Sequence, residues 1–211
     1  MGIYSKHKMF CTVCGKQYDW DCNYGFSKNR TCGMDCHREF EWRHILSVLG
    51  KDYYLRKKLG LDFGNVIKVN GGDMIIGFKE AIQPLKNMFK EEIYLISRVY
   101  NEDGEKQNTE WLKKNHLIDC EDPFLERRHI NYCFKREEKA PIAQKLGLTH
   151  FIDDRIEVLW HMKLVKHLFA LNPTSKQLSD FPPDGFGVKM NVALNWEELL
   201  PKIQETLKPC Q

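Results

Sequence analysis

From Leu59 onward, short apolar runs alternate with stretches whose apolar positions recur at helical spacing. Leu59-Gly60-Leu61 reads as a buried strand running into Asp62 and a glycine turn, Phe63-Gly64-Asn65. After the Gly71-Gly72 loop, Ile76, Ala81, Ile82, Leu85, Met88 and Phe89 predict a helix within 74–90. A buried strand is predicted over 92–99, a helix over 109–115, and a short mixed stretch through Phe134. A helix over 142–146 stops at Gly147, and Phe151-Ile152 forms a strand ending in Asp153-Asp154. Beyond it come a helix over 156–163, a strand over 167–171 and a Pro/Gly loop over 172–187. The chain is then extended over 188–194, and Asn195 caps a final helix with Glu198 three residues on. Alternation of this kind predicts an α/β fold with a doubly wound parallel sheet over residues 57–209.

Residues 1–50 differ in kind. Five of the eight cysteines lie between Cys11 and Cys36. Cys11-x-x-Cys14-Gly15 makes a metal-gripping turn, and Cys32 and Cys36 open a helical pattern that carries Trp42, Ile45, Leu46 and Leu49. Four thiolates suit tetrahedral structural zinc in a small module resembling a treble clef or zinc ribbon, with Cys22 or His37 able to replace a ligand. So short a segment needs the metal to fold. Its lysines and arginines alternate with aromatics, which suits either nucleic-acid contact or plain solvation.

Composition narrows the class. With 42% hydrophobic and 29% charged residues the chain is globular, and a net charge of +3 excludes a generally basic nucleic-acid binder. No apolar run approaches the roughly 18 residues of a membrane span. Absence of a secretory pattern and CxxC-type cysteine clustering point to a reducing compartment, the cytoplasm, with the nucleus as the alternative. Met1-Gly2 falls short of a myristoylation signal.

Candidate chemistry gathers where strands end. Asp62, Ser97 and the pair Asp153-Asp154 each follow an apolar strand, and parallel strands with right-handed crossovers bring such ends to one edge. Lys139 precedes the acid pair by one helix. A nucleophilic Asp62, a hydroxyl and a lysine for phosphoryl oxygens, and acids for magnesium make a set for phosphoryl transfer. His116, His129, His150, His161 and His167 match no ligand spacing and read as surface or helix-end residues. Arg127-Arg128-His129 reads as a solvated face, and Trp160 and Trp196 as core.

In this order the motifs resemble those of the haloacid dehalogenase superfamily, mostly magnesium-dependent phosphatases. Leu61-Asp62-Phe63-Gly64-Asn65-Val66-Ile67 resembles the first motif, Leu95-Ile96-Ser97 the second, Lys139 the third and Phe151-Ile152-Asp153-Asp154 the fourth. The resemblance implies a Rossmannoid fold and a phosphomonoesterase working through an aspartyl-phosphate on Asp62. It implies Ser97 and Lys139 on the phosphoryl group, with magnesium held by Asp62, the Gly64 carbonyl, Asp153 and Asp154. Family phosphatases carry a general-acid Asp two residues after the nucleophile, where this chain has Gly64. An inactive, zinc-containing adaptor for nucleic acid or protein is therefore the alternative. Residues 62–97 are too few for a large cap, and any insertion at 100–134 is small. An open site suits a bulky phosphorylated substrate, such as a nucleic-acid end or phosphoprotein.

Overall fold

A computed structural model of the chain describes residues 7–10, 17–20, 57–69, 72–183 and 190–208. The chain divides into two compact units, Met1–Leu55 and Arg56–Gln211. In the first, β1 (His7–Phe10) and β2 (Gln17–Trp20) pair antiparallel, His7 opposite Trp20 and Phe10 opposite Gln17. Cys11, Cys14, Cys22, Cys32, Cys36 and His37 lie outside the described residues, as does the helix expected after Cys36.

The second unit is built on a parallel six-stranded sheet. In chain order its elements are β3 (Leu59–Leu61), α1 (Phe78–Phe89), β4 (Ile93–Arg98), α2 (Glu102–Lys114), β5 (Ile130–Cys133), α3 (Lys139–Leu146) and β6 (His150–Asp153). There follow α4 (Ile156–His161), β7 (His167–Leu171), α5 (Ser175–Asp180), β8 (Met190–Ala193) and α6 (Trp196–Thr206). The strand order is β5-β4-β3-β6-β7-β8, so the first of these six strands in the chain lies inside the sheet and the connections run outward in both directions from it. This is the Rossmannoid arrangement, with a topological switch point between β3 and β6.

Strand alternation feeds two cores, as a sheet covered on both faces requires. Leu59, Leu61, Ile93, Leu95, Ile152, Phe169 and Leu171 pack with Phe78, Leu85, Leu112, Trp196 and Ile203 of α1, α2 and α6. Tyr94, Ile96, Phe151, Leu168 and Ala170 pack on the other face with Ala143, Ile156 and Leu159 of α3 and α4. Trp196 is fully buried and its indole Nε1 donates to Val66 O at 2.9 Å, while Trp160 is half-buried against Phe181. Gly60 is required where it stands, because a Cβ there would lie 2.4 Å from the Phe151 ring.

Several expectations are corrected. The helix expected from 74 begins at Phe78, because Gly77 adopts a left-handed φ of 84°, and Ile76 is 93% exposed. The segment 100–134 is no insertion: α2 and the edge strand β5 belong to the sheet's own winding, and α2 starts at Glu102 because Asn101 caps it through Gly104 N. The 172–187 loop contains α5, capped by Thr174 with Gln177 closing a capping box. The helix from Ile156 ends at His161. His150 and His129 are buried, not surface residues. His150 bridges Thr149 Oγ1 (2.7 Å) and Thr206 Oγ1 (2.9 Å) and stacks on His167, and burial pushes its pKa down to about 2.

Candidate active site

The register explains how residues distant in sequence meet. Leu61 pairs with Leu95 of β4 on one side and Ile152 of β6 on the other. Asp62 therefore stands level with Ile96 and Asp153, and its N–H donates to Ile152 O at 2.9 Å. Ser97, 3% exposed, lies one residue further along β4. All these positions are at the carboxyl edge of the sheet, beside the switch point where ligands of open α/β sheets bind.

Lys139 opens α3 and is 2% exposed. Its ammonium lies 2.7 Å from Asp62 Oδ1 and 2.8 Å from Asp153 Oδ2, bridging the two acids. The other Asp153 oxygen accepts from Arg155 N at 2.9 Å, so this wholly buried carboxylate has partners on both oxygens. Asp154 accepts from the Asn65 amide at 2.9 Å, and its backbone carbonyl accepts from Gln177 Nε2 at 3.2 Å.

Asp62, Asp153 and Asp154 each offer an oxygen within 4.8 Å of the others, the one such acid, cysteine or histidine cluster among the described residues. Burial, offset by Lys139 and reinforced by Asp153, raises the Asp62 pKa from 3.8 to about 6. Burial likewise raises Asp153, with Lys139 opposing, and raises Asp154, with the Asn65 hydrogen bond opposing. For Lys139 burial acts downward, but Asp153 and Asp62 prevail and raise its pKa, holding it charged. Three carboxylates against one ammonium leave a formal charge of −2 in a largely buried pocket. An all-oxygen donor set carrying that charge fits a hard divalent cation such as magnesium.

Asp62, Lys139, Asp153 and Asp154 thus form one cluster, with Ser97 on the adjoining strand. Gly64 begins the turn after Asp62, pairing with Lys68, and a Cβ at Gly64 would meet nothing within 4 Å. Two contributors escaped the sequence reading. Asn65 holds a left-handed φ of 57° that aims its amide at Asp154, a conformation Asn tolerates better than most residues. Gln177 sits on the unexpected helix α5. The Arg127 and Arg128 guanidiniums pair with Asp119 and Glu126, consistent with a solvated face. Burial pushes the Cys133 thiol up to about 11, which disfavours a thiolate nucleophile.

No protein-family model matches the chain, and no curated protein matches it. Among solved structures it is similar to D,D-heptose 1,7-bisphosphate phosphatase from Burkholderia thailandensis. The identity is 13% and the TM-score 0.48, covering 70% of this chain and 98% of that one. It is also similar to a de novo designed Rossmann 3x3 fold protein, at 13% identity and a TM-score of 0.41, covering 73% and 97%. No described helix is long and apolar enough to cross a membrane.

Proposed function

We propose that the chain is a magnesium-dependent phosphomonoester hydrolase acting through Asp62. The observation that carries this reading is the buried cluster in which Lys139 bridges Asp62 and Asp153, with Asp154 beside them. The order of these residues along the chain matches the haloacid dehalogenase motifs and supports the same chemistry. Asp62 attacks phosphorus and the ester oxygen leaves, giving an aspartyl-phosphate. Water then attacks that phosphorus, releasing phosphate and restoring the carboxylate. Lys139 and Ser97 hold the phosphoryl oxygens as charge builds on them. Magnesium, bound by Asp62, Asp153, Asp154 and the Gly64 carbonyl, would offset the repulsion between carboxylate and phosphate. Asn65 fixes the Asp154 carboxylate and so keeps the donor set in place.

Among the described residues only a turn and α1 separate β3 from β4, so this interval supplies no large cap, which favours a bulky phosphorylated substrate. Gly64 favours a second reading, an adaptor that keeps the fold but turns over poorly, because no acid stands ready for the leaving group. Hydrolysis of p-nitrophenyl phosphate separates the two, since its leaving group needs no protonation. Magnesium-dependent release of nitrophenolate by the wild type, abolished by Asp62→Asn, is expected. A folded but inactive wild type refutes the enzyme and leaves the adaptor. For residues 1–50 we propose structural zinc on Cys11, Cys14, Cys32 and Cys36. Metal analysis should find about one zinc per chain, lost in the Cys11→Ser/Cys14→Ser double variant.

A further inference from the structure

Three of the segments that line the site also carry an arginine near it. Arg98 follows Ser97, Arg155 follows Asp154, and Arg136 stands three residues before Lys139. The Arg98 guanidinium lies 4.3 Å from the centre of the Tyr100 ring. A hydrogen bond and charge from Arg98, joined by Arg136 and Arg155, hold the Tyr100 hydroxyl below its ordinary pKa. Glu157 ties Arg136 (3.3 Å) to Arg155 (3.7 Å), which fixes the spacing of the two while offsetting part of their charge. Tyr100 is 84% exposed. Phe134, 53% exposed, leaves the neighbouring strand just past the Arg98–Cys133 register pair, and Glu138 anchors its N–H at 3.0 Å.

Rings this exposed contribute little to the core. Beside guanidiniums they form the pairing that receives a flat base and its phosphate: rings stack on the base and arginines bind the phosphodiester. The first turn of α2, with Glu102, Asp103 and Glu105, bounds the patch on one side. That limit leaves room for a strand end, and it disfavours the long basic track that a duplex requires.

We propose that Arg98, Arg136 and Arg155, with Tyr100 and Phe134, form a second anion subsite. It holds the internal phosphate and adjoining base of a single-stranded nucleic-acid end whose terminal phosphate lies at Asp62. The subsite rests on the phosphatase reading for its purpose, but its binding can be measured without turnover.

The probe is a fluorescent oligothymidylate of about 12 nucleotides without terminal phosphates, the length a single-strand site spans. Anisotropy with the full chain is expected to show salt-sensitive binding, weakened about tenfold by Tyr100→Ala, in the range of one lost base stack. Phe134→Ser is the second aromatic variant and acts in the same direction. Arg136→Ala and Arg155→Ala should each lower the slope of log K against log salt by about 0.7. With a terminally phosphorylated oligothymidylate, the ratio of its kcat/KM to that of p-nitrophenyl phosphate should fall about tenfold in Tyr100→Ala. Wild-type affinity in all four variants overturns the subsite, because binding then resides elsewhere, residues 1–55 included. A wild type that binds no oligonucleotide overturns it as well, including one that hydrolyses a sugar bisphosphate or a phosphopeptide. A wild type that hydrolyses p-nitrophenyl phosphate while the variants bind normally retains the phosphatase reading alone. Variant-sensitive binding without any hydrolysis supports the subsite and removes the phosphatase.

Discussion

Replacing Lys139 with methionine probes the cluster most directly, because the two side chains have similar length and only the ammonium is lost. In the wild type that ammonium sits 2.7 Å from Asp62 and 2.8 Å from Asp153, with almost no access to water. Removing one partner of a buried ion pair costs about 3–5 kcal/mol, since the remaining charge keeps its desolvation penalty. For a chain of this size that corresponds to a Tm lower by roughly 6–20 °C at pH 7.5 without divalent ions. The deficit has a defined pH dependence. Asp62 already titrates near 6 with the lysine present, and without it the carboxylates hold protons more tightly still. Lowering the pH to 5 protonates Asp62, so the gap between variant and wild type should narrow. Magnesium should raise the Tm of the variant at pH 7.5 and do little at pH 5. Thermal unfolding followed by circular dichroism at the two pH values, with magnesium and with chelator, measures all four corners. A variant as stable as wild type at pH 7.5, or a deficit unchanged at pH 5, would refute the electrostatic account of the pocket.

Gly64→Asp should fold normally, because a Cβ there meets nothing within 4 Å. If the missing acid limits turnover, kcat on an alkyl phosphate should rise by about 10²–10⁴-fold with little change on p-nitrophenyl phosphate; equal changes on both esters would contradict this. His150→Gln addresses the opposite edge of the sheet. The unfolded histidine takes up a proton near 6.5 while the folded one resists until about 2, so wild-type stability falls as pH drops below 6.5. Urea unfolding at pH 4.5, 5.5 and 7 should show a shallower fall in the variant, and parallel curves would argue against a neutral buried imidazole.

Alternation of apolar runs with helical spacing was legible because a sheet covered on both faces writes near-continuous apolar strands. Leu59–Leu61, Ile93–Arg98 and His167–Leu171 stood out for that reason. β5 did not, since an edge strand reading Ile-Asn-Tyr-Cys buries only Cys133 fully. α2 was half visible because Leu112 is its one fully buried side chain, and polar helices carry little periodic signal. α5 was hidden in a Pro/Gly context, although Thr174 and Gln177 spell a capping box that marks its start. Within the site, the acids and the lysine were readable as residue types at strand and helix ends. Asn65 was not, because its role depends on a left-handed backbone that no side-chain pattern announces. The burial of His150 rests on Thr206, 56 residues away, a partner that local periodicity cannot reveal.

The position of β3 also imposes an order in time. It is made first among the sheet strands yet lies between β4 and β6, and its Asp62 N–H finds Ile152 O only after some 90 further residues. Until Lys139 and the β6 segment leave the ribosome, Asp62 has neither its counter-charge nor its second flanking strand. The pocket therefore cannot ripen piecemeal as the chain emerges. A nascent chain arrested before residue 150 should leave the Asp62 amide, whose acceptor is Ile152 O, unprotected, and added magnesium should not protect it.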